Sequence, residues 1–151
     1  MSMDLEEVRT LDAGNMRDAL GIEIIEYTKE RVVAKMPITW MVRQPFGRLH
    51  GGASVVLAET VATAGTYQFI DNETQGAVGL DINANHLRGV SEGSVRGIAT
   101  PLHVGRRTAV WDVKVVDDND RLICSSRATI AIIDRPQERK NTAPGEGNKE
   151  K

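Results

Sequence analysis

The sequence predicts an α+β domain in which a curved antiparallel sheet wraps around one long central helix. Three observations carry this prediction. One apolar segment, Gly51–Ile70, holds a single charge, Glu59. Two runs rich in β-branched residues precede it, and four alternating segments follow it. A sheet built from such strands must bury its apolar face against another layer, and the nearly uncharged helix is the partner the chain offers. The 151 residues fit one domain, expected over 1–134. Arg135–Lys151 is rich in Pro, Gly and charge with almost no apolar residues, so it reads as a disordered tail.

The elements follow in order. Leu5, Val8 and Leu11, then Met16 and Leu20, have the spacing of short amphipathic helices broken at Gly14-Asn15. Ile22–Tyr27 and Arg31–Ile38 read as a strand pair joined at Thr28-Lys29-Glu30. In the second strand Val32, Ala34, Met36 and Ile38 form an apolar face. Thr39–Leu49, with Pro45 and Gly47, is irregular. Gly51–Ile70 has no consistently charged face, which predicts a helix covered on most sides. Val78, Leu80, Ile82 and Ala84 mark the next strand, and Val95–His103 another. Ala109, Trp111, Val113 and Val115 mark a further one, and Leu122, Cys124, Ala128, Ile130 and Ile132 the last. Ser91-Glu92-Gly93, Gly105-Arg106 and Asp117–Asp120 punctuate them as hairpin loops. There is no internal repeat.

Composition excludes several classes of function. Nineteen basic against 21 acidic residues give a net charge of -2, without the basic excess of a nucleic-acid binder. The lone Cys124 forms no intramolecular disulfide and has no second thiol for a zinc site. Met1–Thr10, with Asp4, Glu6 and Glu7, does not read as a secretory leader, so a cytoplasmic protein is expected. Gly51–Ile70 gives too many positions to Gly, Ser, Thr and Gln to read as a membrane span.

Two features stand out chemically. A carboxylate inside an apolar helix is costly to bury unless it is paired or used. Glu59 therefore either faces a solvated groove or an arginine, or acts as a general base or nucleophile. Thr63 lies four residues on, on the same helical face. The second feature is His50-Gly51-Gly52 at the helix start. Glycines there either allow tight packing or let a substrate approach first-turn N–H groups that have no intrahelical partner. Those donors and the positive end of the helix dipole suit a polarised carbonyl, and the side chains of Gln44 and His50 can reach the same oxygen. Gly51 and Glu59 are eight residues apart, about 12 Å along a helix. If both serve one reacting centre, Glu59 must come from a second copy of the chain. Arg88, Arg106 and Arg107 fall at strand ends, either as ordinary exposed charges or as forks for phosphate groups.

Gln44-Pro45-Phe46-Gly47-Arg48-Leu49-His50-Gly51-Gly52-Ala53-Ser54-Val55-Val56-Leu57-Ala58-Glu59 resembles the signature of the hotdog-fold acyl-CoA thioesterases. Within that family it is similar to the 4-hydroxybenzoyl-CoA-thioesterase-like group. Gly79-Leu80-Asp81-Ile82-Asn83-Ala84-Asn85-His86 and Pro101-Leu102-His103-Val104-Gly105 extend the likeness toward 1,4-dihydroxy-2-naphthoyl-CoA hydrolases. It covers roughly Met16–Ile133.

The resemblance implies a catalytic carboxylate at Glu59 and a carbonyl-polarising amide at Gly51. It implies side chains near the thioester at Gln44 and His50, and a hydroxyl beside the carboxylate at Thr63. The coenzyme A moiety would be held by Asn85, His86 and Arg88 and by His103, Gly105, Arg106 and Arg107. It further implies an obligate homodimer, commonly paired into a homotetramer, acting on acyl-CoA with no metal and no redox cofactor. Other readings are a thioesterase for phenylacetyl- or aliphatic CoA or for misacylated carrier protein, a non-catalytic acyl-CoA sensor, and a hotdog dehydratase.

Overall fold

A computed structural model describes residues 3–10 and 14–135; Leu11 and residues 136–151 lie outside them. The chain opens with two short helices, α1 (Leu5–Thr10) and α2 (Met16–Ala19). Asn15 caps α2 by accepting from the Arg17 and Asp18 N–H groups at 3.0 and 3.4 Å, the role its type predicts at a helix start. β1 (Glu23–Tyr27) and β2 (Val32–Pro37) form the expected hairpin, followed by a 3₁₀ turn at Trp40–Val42. The long helix α3 spans Gly51–Thr66, and β3 (Gln75–His86), β4 (Ser94–Val104), β5 (Thr108–Asp117) and β6 (Leu122–Asp134) complete the chain.

All six strands form one sheet, every neighbouring pair antiparallel, in the order β1-β2-β4-β5-β6-β3. The expected α+β architecture is present: α3 lies against the sheet, touching β2, β3, β4, β5 and β6. Its Leu57, Ala58, Val61 and Ala62 are fully buried with Trp111, Val113, Val115, Ala128 and Ile130. Two glycines permit the close approach. A Cβ on Gly65 would overlap the Trp111 ring, and one on Gly97 would sit 2.9 Å from Leu57. Among the described residues no helix is long and apolar enough to cross a membrane.

The helix stops at Thr66, four residues short of the predicted Ile70. After it the backbone tightens into turns, with the Gln68 and Phe69 N–H groups donating to the Gly65 and Thr66 carbonyls. The Gln68 side chain donates to the Thr28 carbonyl at 2.7 Å, and Ile70 is buried. These tertiary anchors redirect a segment whose composition alone would continue the helix.

β3 departs from the predicted alternation in a way that shapes the site. Gly79 pairs with Ile130 and Asp81 with Thr129, so Leu80 is the extra residue of a bulge. Before it Ala77 faces the core; after it Ile82 and Ala84 do. Val78 and Leu80, expected on the buried face, are 43% and 64% exposed. An unbulged strand would turn Asp81, Asn83 and Asn85 toward α3 instead. β3 is also an edge strand, 12 residues long and bonded only to β6 among the described residues.

Candidate active site

The segment before α3 is more ordered than its composition suggests. Arg43 bridges Leu49, and the Gln44–Gly47 turn closes with the Gly47 N–H on the Gln44 carbonyl at 2.9 Å. Gly47 sits at φ 81°, which glycine adopts without strain. The Leu49 N–H donates to Val90 and the His50 N–H to Val42, so this turn is pinned beside the end of β3. The Gln44 Oε1 accepts the Phe46 N–H, and no described residue accepts from its Nε2.

His50 caps α3. Its Nδ1 accepts the Gly52 N–H at 2.8 Å, which requires that nitrogen to be unprotonated. Its carbonyl accepts from Ala53 and Ser54 at 3.0 and 3.4 Å. Three of the four first-turn donors are thus used. The Gly51 N–H alone has no acceptor among the described residues. The Gly51 α-carbon faces the His86 ring, for a Cβ there would lie 2.7 Å from His86 Nε2. A cavity of about 360 Å³ opens here, lined by Gln44, Arg48, Gly51, Ser54, His86 and Arg88 among others.

Glu59 lies elsewhere. It is half-buried, on the wall of a second cavity of about 560 Å³ with Val56, Thr60, Thr63, Ala64, Tyr67 and, from the N-terminal segment, Val8 and Met16. Thr63 therefore shares the Glu59 cavity, as the helical spacing requires. The carboxylate extends over β3, into the space where Gly79 has no side chain. Within one chain the open N–H and the carboxylate are in different cavities.

The residues proposed for coenzyme A also divide. Asn85, His86 and Arg88 are at the C-terminal end of β3, where His86 pairs with Cys124. His103, at the end of β4, and Gly105, Arg106 and Arg107, in the β4–β5 turn, lie at the other end of the sheet. There Ile132 donates to the Arg107 carbonyl and Arg107 pairs with Asp134 at 3.2 Å. Cys124 and Ile132 are eight residues apart on β6, about 26 Å of strand, so one protomer does not bring the two groups together. Gly105 closes its turn by donating to the Thr108 carbonyl, with the His103 ring filling the space beside it. Arg88 and Arg106 are exposed and pair with no described carboxylate. Sequence reasoning passed over Arg48, which packs on Gly89 at the first cavity, and Gly79, which faces Glu59. Nothing local marks either; the bulge that aims Gly79 is a property of the β3–β6 pairing.

A curved six-stranded sheet around a helix with an open first N–H is the architecture of the hotdog thioesterases. Comparison with known proteins makes this specific. The thioesterase superfamily profile matches residues 46–124, from the turn before α3 to β6. ComA2 of Bacillus subtilis, named at the level of an esterase, is 58% identical over 77% of this chain and 92% of its own. The 1,4-dihydroxy-2-naphthoyl-CoA hydrolase of Escherichia coli is 46% identical over 85% of this chain and 94% of its own. A crystal structure of a mutant of thioesterase PA1618 from Pseudomonas aeruginosa superimposes with a TM-score of 0.85 at 38% identity, covering 89% of this chain and 97% of that one. The chain belongs to the thioesterase superfamily, and thioester hydrolysis is its class of reaction.

Proposed function

We propose that the protein hydrolyses an acyl-CoA thioester, preferably an aromatic one, at a site assembled by two copies of the chain. The observation that carries this reading is the separation of the open Gly51 N–H from Glu59 into two cavities of one protomer. The exposed β3 edge supports the dimer. Antiparallel pairing of two such edges about Asn83 sets His86, three residues from the centre, opposite the partner's Leu80, within the bulge that begins at Gly79. That brings the partner's Glu59 toward Gly51. It also turns the partner's β4–β5 hairpin toward the Asn85–Arg88 end, so the two groups of coenzyme A residues meet across the dyad. Pairing of two dimers into a tetramer is the assembly we propose.

In this site the Gly51 N–H and the Gln44 amide donate to the thioester oxygen as it gains charge. Glu59 attacks the acyl carbon or takes a proton from the water that does. In either case the C–S bond breaks, water oxygen ends on the acid, and the departing thiolate leaves as CoA after gaining a proton. Thr63 adds a hydroxyl on the carboxylate side. The acyl group occupies the Glu59 cavity, whose wall includes Tyr67, Met16 and Val56. The E. coli relative's named substrate, an aryl-CoA, supports the aromatic preference.

The test is free-thiol release from hydroxybenzoyl-, dihydroxynaphthoyl-, phenylacetyl- and aliphatic CoA, with wild type and Glu59→Gln side by side. Aryl esters are expected to turn over fastest, with kcat falling about 10²–10⁴-fold in the variant. CoA esters that bind without cleavage would overturn the enzymatic reading in favour of an acyl-CoA sensor.

A further inference from the structure

Gly79, on β3 beneath the Glu59 carboxylate, has no role assigned above, and the geometry gives it one. A Cβ built on Gly79 would collide with Glu59 Oε1, lie 2.8 Å from Glu59 Cδ and 3.5 Å from its Cγ. All three of its nearest neighbours belong to that one side chain. Other glycines of the sheet meet different things: Gly97 faces the core residue Leu57, and Gly76 has only ordinary contacts at 3.7 Å and beyond. Gly79 has no positive φ, so the backbone does not demand glycine there. What the position requires is the space.

Two further features give that space a direction. β3 is the sheet edge, so a carboxylate resting over Gly79 stands at the border of the protomer instead of in its core. The Leu80 bulge follows immediately, turning the strand so that Gly79 and His86 both face α3 although they are seven residues apart. A regular strand would put them on opposite faces.

We infer that Gly79 is a positioning residue. Its missing side chain is the seat that lets the Glu59 carboxylate lie over the β3 edge, where it can reach a thioester held by the other protomer. Any side chain at this position drives the carboxylate back along α3, away from the dimer border. The inference rests on the catalytic reading of Glu59 proposed above. It adds a steric requirement on a different element, and Gly79 itself touches no substrate.

The test is a double-mutant cycle between Gly79→Ala and Glu59→Asp, read as kcat and KM for the best aryl-CoA ester. Gly79→Ala is expected to lower kcat about 10²-fold, the scale of an ångström-level displacement of a reacting group. KM should stay within about threefold, because the coenzyme-binding end is untouched. Aspartate is one methylene shorter, so its oxygens reach only to about the Glu59 Cδ position, 2.8 Å from the built Cβ, and need less of the seat. Adding Gly79→Ala to Glu59→Asp should therefore lower kcat by less than about tenfold, well short of the loss in the wild-type background. Gly76→Ala, on the same strand, should leave both constants unchanged. A wild-type kcat for Gly79→Ala would overturn the inference, and so would an equal loss in the Asp background. If Gly79→Ala alone does not fold, the Glu59→Ala/Gly79→Ala pair decides: it should melt like Glu59→Ala, and a double variant that also fails shows the clash is with something else. Glu59→Gln keeps the two ideas apart. Full activity there removes the catalytic reading, whereas an inactive Glu59→Gln with an active Gly79→Ala removes only this one.

Discussion

Replacing Thr66 by Val tests the join between helix and sheet. Thr66 and Trp111 are both fully buried. The Trp111 Nε1–H donates to Thr66 Oγ1 at 3.0 Å, and that hydroxyl donates to the Ala62 carbonyl at 2.9 Å. Valine keeps the shape and removes the oxygen. Ala62 keeps its ordinary helical donor, so the change strands one group, the indole N–H. A buried donor left without an acceptor costs about 1–3 kcal/mol. With about 2–4 °C of melting shift per kcal/mol in a chain of this size, Tm should fall by about 2–12 °C. Urea unfolding followed by tryptophan fluorescence at fixed protein concentration reads it directly, because Trp40 is 81% exposed and Trp111 dominates the change. Thr66→Ser keeps both bonds and should cost only the lost methyl, about 1 kcal/mol. In a Trp111→Phe background Thr66→Val should cost little, since no N–H remains to be orphaned. Equal stability of Thr66→Val and wild type, or the same loss in the Phe background, would refute the reasoning.

Other outcomes follow from the same structure. Arg88→Ala should raise KM for CoA esters severalfold while leaving turnover of a short thioester without the nucleotide unchanged, and the CoA effect should shrink in high salt. Asp118 accepts from the Ser94 hydroxyl and N–H, which hold its carboxyl below the ordinary range. A depressed folded value stabilises the fold above about pH 4 and is lost as pH falls through it. Denaturant midpoints of Asp118→Asn and wild type should therefore differ at pH 7, and the gap should narrow as pH falls below about 4. Deleting residues 136–151 should leave activity and assembly, measured by thiol release and size-exclusion chromatography, as they are. Arg135 is retained because its N–H and Nε donate to the Thr74 and Gln75 carbonyls.

Much of this molecule was legible in the residues because the signals were local. Asn15 reads as a helix cap, the β-branched runs as strands, and the uncharged face of Gly51–Thr66 as a covered helix. The separation of Gly51 from Glu59 followed from helical rise alone. What escaped was set by pairing between distant segments. The alternation of Val78, Leu80, Ile82 and Ala84 looks like one buried face, yet the bulge against Thr129 and Ile130 reverses it at Leu80. The end of α3 depends on Gln68 reaching Thr28, a contact 40 residues apart that no helix signal contains. Likewise, Arg88 and Arg107 each read as an arginine at a strand end, and only the pairing register along β6 shows that they occupy opposite ends.

The shared site is the central claim, and a purified mixed dimer tests it most directly. Glu59→Gln and Gln44→Ala chains carrying different tags would be co-expressed and the heterodimer isolated. Each homodimer is expected to be nearly inactive. If Glu59 of one protomer serves the Gly51–Gln44 end of the other, the heterodimer holds one fully intact site and should show about half of wild-type activity. Activity no higher than that of the two parent homodimers would contradict the account, because both residues would then have to act within one chain.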